Sequence, residues 1–334
     1  MALPTQVLAS SSDGSTGDFV DFHTPLWEWA ALLGFITVLL MVDLLVVHRK
    51  AHVASTKEAA IESAVWISIG LAFGLIFFAM HGAAAAGEYY AGFLIEKSLS
   101  VDNVFVWALI FSYFLVPRQF QHRVLFWGIF GALVLRAIFI FAGVALIQKF
   151  SWIIFIFGGF LLFTAVRLIV HKDAEVHPEN NPVLKLVQRV VPSSSEYAGQ
   201  RLFTRIDGRR LATPLFAVLV LIETTDVIFA VDSIPAILAV SHQPFIVFSS
   251  NAFAILGLRA LYFLLAGLHE RFTYLQQGLA IILAFVGIKM IVSHWYHIPT
   301  GLSLGFIALV LTLSIVVSLL SERVPESDPP VQEH

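Results

Sequence analysis

The chain has 334 residues, of which 58% are hydrophobic and only 13% are charged, and its formal net charge is -3. A water-soluble domain of this length could not cover so much apolar sequence with polar surface, so the composition indicates a protein that crosses a membrane several times. The absence of cysteine excludes disulfides, thiolate metal ligands and a thiol redox centre, and nothing in the composition predicts a nucleic-acid partner.

Apolar stretches long enough to cross a bilayer recur along the whole chain. Because a transmembrane helix needs about 20 mostly apolar residues, we predict nine spans. In chain order they cover residues 26–47, 64–81, 90–116, 123–147, 150–170, 212–239, 245–268, 275–294 and 301–321. The predicted fold is an all-α, polytopic transmembrane helix bundle, with a first half at 25–170 and a second half at 212–321.

Polar segments at 1–24, 171–211 and 322–334 flank or separate these halves. Lys and Arg are concentrated in alternate connections, after the first, third, fifth and seventh spans. By the positive-inside rule, the N-terminus lies outside and the C-terminus in the cytoplasm. Residues 1–24 lack a signal-peptide pattern and are predicted to form a short, disordered outer tail.

The 171–211 segment is then a cytoplasmic loop whose basic residues rest on anionic lipid headgroups. Within it, Val183–Val191 has the pattern of an amphipathic segment at the lipid interface. Residues Arg201–Leu211, around Asp207-Gly208, predict a small β-hairpin with a tight turn.

Two acidic runs interrupt the apolar spans: Glu96-Lys97-Ser98-Leu99-Ser100-Val101-Asp102-Asn103 and Glu223-Thr224-Thr225-Asp226-Val227-Ile228-Phe229-Ala230-Val231-Asp232-Ser233. An ionised carboxylate in hydrocarbon costs at least several kcal/mol unless it is paired or hydrated. The five carboxylates therefore need partners, and a cation crossing the membrane is one such partner.

The two acidic runs belong to an internal repeat. Aligning Val101-Asp102-Asn103 with Val231-Asp232-Ser233 places Glu96 opposite Asp226. The following spans then share Leu135-Arg136-Ala137 and Leu258-Arg259-Ala260, and the next share a pattern at 163–170 and 285–292. Residues 90–170 and 212–294 are thus predicted to be two three-helix repeats. An odd number of spans per repeat makes them inverted, an architecture that places the substrate site near the membrane midplane.

The acidic runs predict the ligands of a metal site. At about 100° per residue, Asp226 and Ser233 differ by about 20° around their helix, whereas Asp102 and Asp232 lie about 120° from their upstream partners. Two facing helices would thus contribute different subsets of ligands. The candidate metal ligands are Glu96, Asp102, Asn103, Glu223, Asp226 and Asp232, with Asp43, Ser100, Thr225 and Ser233 in supporting positions.

These oxygen ligands favour a hard divalent cation such as Mn²⁺, Mg²⁺ or Ca²⁺ over Zn²⁺ or Cu⁺, and they do not distinguish among the three. Clustered carboxylates also take up protons when they lose a metal, so protons are a possible counter-substrate. The cation would be a transported substrate, and no cofactor is predicted.

A purely structural interpretation competes at each charged position, because a buried carboxylate can simply neutralise a buried cation. Lys97, Arg136 and Arg259 are therefore interpreted as gating or counter-ion residues and not as ligands. The acidic runs contain five carboxylates against only two such arginines, so some carboxylates remain without an arginine to neutralise them. Gly158-Gly159, and Gly128 with Gly131, are positions where helices could approach closely.

Both acidic motifs, together with Thr213-Pro214-Leu215 at the start of the sixth span, resemble the TerC family of bacterial integral membrane proteins, in particular its Alx-like branch. The resemblance covers residues 26–321. The family is associated with tellurite resistance and, in that branch, with manganese export. What the resemblance implies is a Mn²⁺ exporter of the bacterial plasma membrane.

The leading hypothesis is thus a secondary transporter, and not an enzyme, that exports a divalent cation by alternating access between the repeats. One alternative is a transporter of Ca²⁺, Mg²⁺ or another cation. The other is a membrane scaffold in a tellurite or metal stress response. The sequence leaves the oligomeric state open.

Overall fold

A computed structural model of the chain describes residues 19–47, 55–150, 152–170, 198–206, 209–265, 274–293, 295–296 and 298–321. The helices of this part of the chain are α1 (Leu26–Val42), α2 (Thr56–Tyr113), α3 (Arg118–Lys149), α4 (Ile153–Val170), α5 (Pro214–Leu238), α6 (Pro244–Leu256), α7 (Leu258–Leu265), α8 (Leu275–Val292) and α9 (Thr300–Ser321). A π-helical turn, Asp43–Val47, extends α1, and the strands β1 (Phe203–Ile206) and β2 (Arg209–Ala212) precede α5.

Helix α2 is a hairpin of two helical limbs that meet at Gly82. This glycine has φ 84° and ψ -178°, a conformation outside the helical region. The Tyr89 hydroxyl donates to Gly70 O at 2.8 Å, and the Tyr90 hydroxyl donates to Leu71 O at the same distance. Residues this far apart on a straight helix would be separated by about 28 Å. The outgoing limb (56–81) and the returning limb (83–113) are therefore antiparallel, which agrees with two separate spans here.

The chain is an all-α, multi-pass membrane bundle, as predicted. Within the described residues, seven helices are long and apolar enough to cross a membrane, with α6 and α7 counted together, and the shorter apolar helix Gln276–Val292 adds to them. Large side chains such as Leu75, Ile138 and Phe163 are exposed on the outside of the bundle, where lipid would cover them. The count of nine crossings and the inverted orientation of the repeats stay predictions.

Helix ends follow local sequence signals. Ser55 and Glu58 form a capping box at the start of α2, since the Glu58 N–H donates to Ser55 Oγ at 3.2 Å and the Ser55 N–H to Glu58 Oε2 at 2.8 Å. Pro214 and Pro244 open α5 and α6 at the first helical position, where a missing N–H costs nothing.

The packing of the predicted repeats is reciprocal. Helix α2, whose returning limb is the first helix of one repeat, packs on α6 and α7, and α5, the first helix of the other, packs on α3. The third helices, α4 and α8, pack against each other. A two-fold relation between the repeats requires this pattern. A Cβ on Gly158 would lie 3.0 Å from Gly287 O, so α4 and α8 touch backbone to backbone.

The predicted β-hairpin is confirmed. Strands β1 and β2 pair antiparallel, with Phe203 opposite Ala212 and Ile206 opposite Arg209. The Thr213 hydroxyl donates to Arg201 O at 2.7 Å and ties the hairpin to the start of α5. The predicted amphipathic segment at 183–191 lies outside the described residues.

The N-terminal segment is ordered where the structure describes it. Residues 19–24 lie against the bundle, and the Gln243 side-chain amide donates to Phe22 O. The expectation of a disordered tail is therefore wrong for residues 19–24, because aromatic and backbone contacts fix this part.

Candidate cation site

The Arg136 side chain of α3 lies at the centre of the bundle and is 1% exposed. Its Nε and Nη2 donate to Asp226 Oδ2 and Oδ1 at 3.1 and 2.9 Å, and its Nη1 donates to Glu96 Oε1. Asp226 belongs to α5 and Glu96 to the returning limb of α2. One guanidinium is therefore the counter-ion of the two carboxylates that the repeat alignment places opposite each other.

Neutral side chains complete the surroundings of Arg136. Its Nη1 also donates to Ser233 Oγ at 3.3 Å, while the Ser100 hydroxyl donates to Glu96 Oε1 at 3.2 Å. The side-chain amide of Asn251, on α6, donates to Glu96 Oε2 at 3.0 Å. Asp226 and Ser233 thus share one guanidinium, in keeping with the small angle predicted between them.

The charges at this centre do not cancel. Two carboxylates and one guanidinium leave a formal excess of one negative charge, and Glu96, Asp226 and Arg136 are each at most 1% exposed. A buried charge that lacks a partner costs several kcal/mol, so this arrangement favours the approach of a further cation.

Three of the predicted ligands form no salt bridge, although Arg167 interacts with Asp232 at longer range. Asp102, Glu223 and Asp232 form no ion pair with any Lys, Arg or His in the part of the chain that the structure describes. Asp232 Oδ1 accepts a hydrogen bond from the Thr164 hydroxyl of α4 at 3.1 Å. Glu223 lies against α3, where a Cβ on Gly131 would be 2.0 Å from its Oε1. The predicted surplus of carboxylates over cations is therefore present.

The neutral candidate ligands differ in their environments. Asn103 is buried, and its Oδ1 has no hydrogen-bond partner among the described residues. The Thr225 hydroxyl donates to Ile222 O of its own helix at 2.9 Å. Asn103 thus offers a buried oxygen to a ligand, while the Thr225 hydroxyl proton is engaged locally.

A second ion cluster surrounds Arg259 of α7. Its Nη2 donates to Asp43 Oδ1, in the π-helical turn after α1, and to Glu62 Oε1, on the outgoing limb of α2, at 3.0 Å. Arg259 occupies the position of Arg136 in the other repeat but binds acids from outside the repeats. The predicted inner-mouth ligand Asp43 is therefore paired with Arg259 in this structure.

Lys97 contacts α6 and forms no salt bridge with the neighbouring Glu96. Its Nζ donates to Ala254 O at 3.1 Å, in the last turn of α6, and would lie 3.2 Å from a Cβ on Gly257. The Gly257 N–H bonds Ile255 O, so the regular hydrogen-bond ladder of α6 stops there. A cation at the carbonyl end of a helix is favourable. Lys97 is thus the charged cap of α6.

The predicted ligands do not form one preassembled metal site. Across the residues that the structure describes, no group of three or more His, Asp or Glu side chains is placed to hold a metal ion. Contacts instead link Glu96, Asp226 and Ser233 through Arg136, while Asp232 contacts α4. A cation bound by several of these carboxylates therefore requires Arg136 or the helices to move.

Asn251, Thr164 and Glu62 contact the predicted site residues but were not singled out from the sequence. Asn251 carries a signal, since it is a lone amide in the apolar run of α6. Thr164 lies in a stretch shared by the repeats, and Glu62 precedes the predicted second span. Their partners are on other helices, which periodicity within one helix cannot reveal.

Together, the helical fold, the buried ion pairs and the carboxylates without salt bridges define a multi-pass integral membrane protein with a polar, acidic centre. The family model described as "Integral membrane protein TerC family" matches residues 81–326, and the chain belongs to this family.

Curated relatives cover nearly the whole chain. It is 50% identical over 301 residues to the "Uncharacterized membrane protein STKORF319" of Myxococcus xanthus, which covers 90% of this chain and 94% of the relative. It is 46% identical over 304 residues to the "Putative membrane-bound redox modulator Alx" of Escherichia coli (strain K12), covering 88% and 94% respectively. An uncharacterized membrane protein of Rickettsia bellii is 40% identical over 299 residues, covering 89% of this chain and 98% of that relative. No solved structure matches the chain.

Proposed function

We propose that this protein is a secondary transporter, and not an enzyme, that exports a divalent cation, Mn²⁺ in particular, from the bacterial cytoplasm. The observation that carries the proposal is the set of three carboxylates, Asp102, Glu223 and Asp232, that form no salt bridge among the described residues. Burying acids in membrane-spanning helices is energetically costly, so their presence there indicates a functional site.

Arg136 occupies the centre of the bundle in the metal-free state of the proposed transporter. When no metal is bound, its guanidinium pairs with both Glu96 and Asp226, which lie on the first helices of the two predicted repeats. A divalent cation that reaches this centre competes with Arg136 for the same carboxylate oxygens. Exchange between guanidinium and metal would then accompany the movement of one repeat against the other.

The choice of Mn²⁺ combines ligand chemistry with family resemblance. Carboxylate, amide and hydroxyl oxygens suit Mn²⁺, Mg²⁺ and Ca²⁺ alike. The manganese assignment comes from the Alx-like motifs at 96–103 and 223–233. The chain has no cysteine, so any redox effect of this protein would not arise from thiols of its own.

In the same proposal, the protein lies in the plasma membrane with its N-terminus outside. Protons replace the metal on the unpaired carboxylates during the return step. Exchange of a divalent cation for protons would couple export to the proton gradient.

Transport by the purified protein tests the proposal. Proteoliposomes should accumulate ⁵⁴Mn²⁺ at a rate that depends on an imposed pH gradient. Asp102→Asn, Glu223→Gln and Asp232→Asn should each reduce the rate at least about tenfold, as expected when a charged group essential to binding is lost. Glu58→Gln is the matched control, since Glu58 is exposed at the start of α2 and should leave the rate unchanged.

Two outcomes would contradict the proposal in whole or in part. Competition by Ca²⁺ or Mg²⁺ at lower concentrations than Mn²⁺ would move the substrate to one of these ions. Absence of flux of any of the three ions through folded protein would reject transport.

The scaffold alternative has one observation in its favour, since Arg136 and Arg259 each bind two carboxylates, as structural ion clusters do. It predicts that replacing Arg136 together with both of its acids by neutral residues retains function in cells. The transport proposal predicts that this triple variant folds but moves no Mn²⁺.

A further inference from the structure

The N-terminal residues Phe19–Thr24 cross one end of the bundle and contact three separate parts of it. The Phe22 ring stacks on His81 of α2, with ring centroids 4.2 Å apart, and Phe22 O accepts from the Gln243 amide after α5. The Phe19 ring lies 4.3 Å from that of His242, in the same connection. We call residues 19–24 the N-terminal strap.

Two charged side chains are buried beneath the strap. Glu88, on the returning limb of α2, is 1% exposed and accepts a hydrogen bond from the Val20 N–H at 2.7 Å. Lys289, on α8, is 3% exposed, and its Nζ lies 5.8 Å from the centroid of the Phe19 ring. Glu88 lies on the limb of α2 that continues into the first predicted repeat, and Lys289 belongs to the second. The strap therefore links this limb to the second repeat.

This arrangement restricts motion at one end of the bundle. Alternating access requires the two repeats to move against each other, so that each end of the pathway opens in turn. A segment bound to α2, to the α5–α6 connection and to α8 opposes such motion. We infer that the N-terminal strap closes this end of the cation pathway and detaches from the bundle during each transport cycle.

The contacts are suited to reversible detachment. The strap has few residues, and its backbone is fixed by isolated hydrogen bonds and not by a helix or sheet ladder. Its detachment also returns the charges of Glu88 and Lys289 to water, which offsets part of the lost contact energy. Segments with few buried contacts open at low free-energy cost. This inference rests on the proposed transport function for its cycle, but the closure itself can be tested without transport.

Closure is tested by thiol labelling. Because the chain has no cysteine, an introduced cysteine is the sole thiol. Ser241 is fully buried beside Glu88, and Ser249 is equally buried within α6. In purified protein, Phe19→Ala with Phe22→Ala should raise the rate of maleimide labelling of Ser241→Cys about tenfold, and should leave that of Ser249→Cys unchanged. Equal labelling of Ser241→Cys with and without the two phenylalanines would overturn the closure.

Detachment is tested by tethering the strap. Phe22→Cys and His81→Cys, bridged by a short bifunctional thiol reagent with a cleavable disulfide, should abolish ⁵⁴Mn²⁺ flux in proteoliposomes, and reduction should restore it. The single-cysteine variants treated with the same reagent are the controls. Full flux through the bridged protein would overturn detachment. If the protein without the introduced cysteines also lacks flux, the transport proposal fails, while the labelling result still decides whether the strap closes this end.

Discussion

Arg136 holds Asp226 by two hydrogen bonds, one to each carboxylate oxygen, at 2.9 and 3.1 Å. This two-point geometry fixes α3 against α5, which belong to different predicted repeats. A lysine could supply the charge but not the planar pair of donors. The interaction is therefore both a structural link and the charge that a transported cation would have to replace.

Replacing Arg136 by Met should destabilise the protein by about 3–5 kcal/mol, because Glu96 and Asp226 would stay buried without a counter-charge. Thermal unfolding in detergent, followed by the fluorescence of the seven tryptophans, measures this change. Arg201→Met, at an exposed position, is the control. Adding Glu96→Gln and Asp226→Asn to Arg136→Met should recover most of the loss. An unchanged unfolding temperature for Arg136→Met alone would contradict the ion-pair assignment.

The acids with and without salt bridges should differ in the sign of the stability change that their substitution causes. Asp226→Asn should lower the free energy of unfolding by about 1–3 kcal/mol, since the amide nitrogen cannot accept one of the two hydrogen bonds that Arg136 donates and leaves two donors facing each other. Asp232→Asn and Glu223→Gln should leave it unchanged or raise it, because they remove charges that form no salt bridge in the described structure. Unfolding midpoints of the three variants decide between these outcomes. Equal destabilisation by all three would indicate that Asp232 and Glu223 are structural.

Gly131→Ala should disturb Glu223 directly, because the added Cβ would lie 2.0 Å from Glu223 Oε1. We expect slower Mn²⁺ flux and a loss of about 1–3 kcal/mol from overpacking. Gly159→Ala is the matched control, a helical glycine whose Cβ would meet nothing within 4 Å. It should stabilise α4 by up to about 1 kcal/mol through helix propensity. Identical unfolding temperatures and fluxes for the two variants would argue against the close approach of Glu223 to α3.

Gly82→Ala should weaken the hairpin of α2. No atom lies within 4 Å of the added Cβ, so the cost is purely conformational, about 1–3 kcal/mol for a φ of 84° at a residue with a side chain. Gly305→Ala, in α9 and also free of close contacts, is the control. If Gly82→Ala is as stable as Gly305→Ala, the reversal at this residue is not the strained conformation described above.

Several features of the fold and site were predictable because they depend on local sequence. Runs of apolar residues gave the membrane bundle, and the gap between the second and third spans coincides with the reversal at Gly82. A rotation of about 100° per residue places Asp226 and Ser233 on one side of α5 and Asp232 on another. In agreement, Ser233 contacts Arg136, whereas Asp232 contacts Thr164 on another helix.

The partners across helices were not predictable from one sequence. Arg136 and Arg259 hold equivalent positions in the predicted repeats, yet Arg136 binds acids of the repeats and Arg259 binds Asp43 and Glu62. The difference arises because α1 and the outgoing limb of α2 lie outside the repeats and supply acids next to Arg259 alone. Likewise, Asn251 stands out as the lone amide of α6, but its partner Glu96 is identified only when α6 is placed beside α2.

The β-hairpin before α5 has a mechanical consequence. Strand β2 ends at Ala212 and α5 begins at Pro214, so a single residue, Thr213, separates a hydrogen-bonded ribbon from the helix that carries Glu223, Asp226 and Asp232. Since the Thr213 hydroxyl also donates to Arg201 O, no flexible linker separates the hairpin from α5. A force or a binding partner that moves the hairpin would therefore move α5 with it and change the positions of its carboxylates.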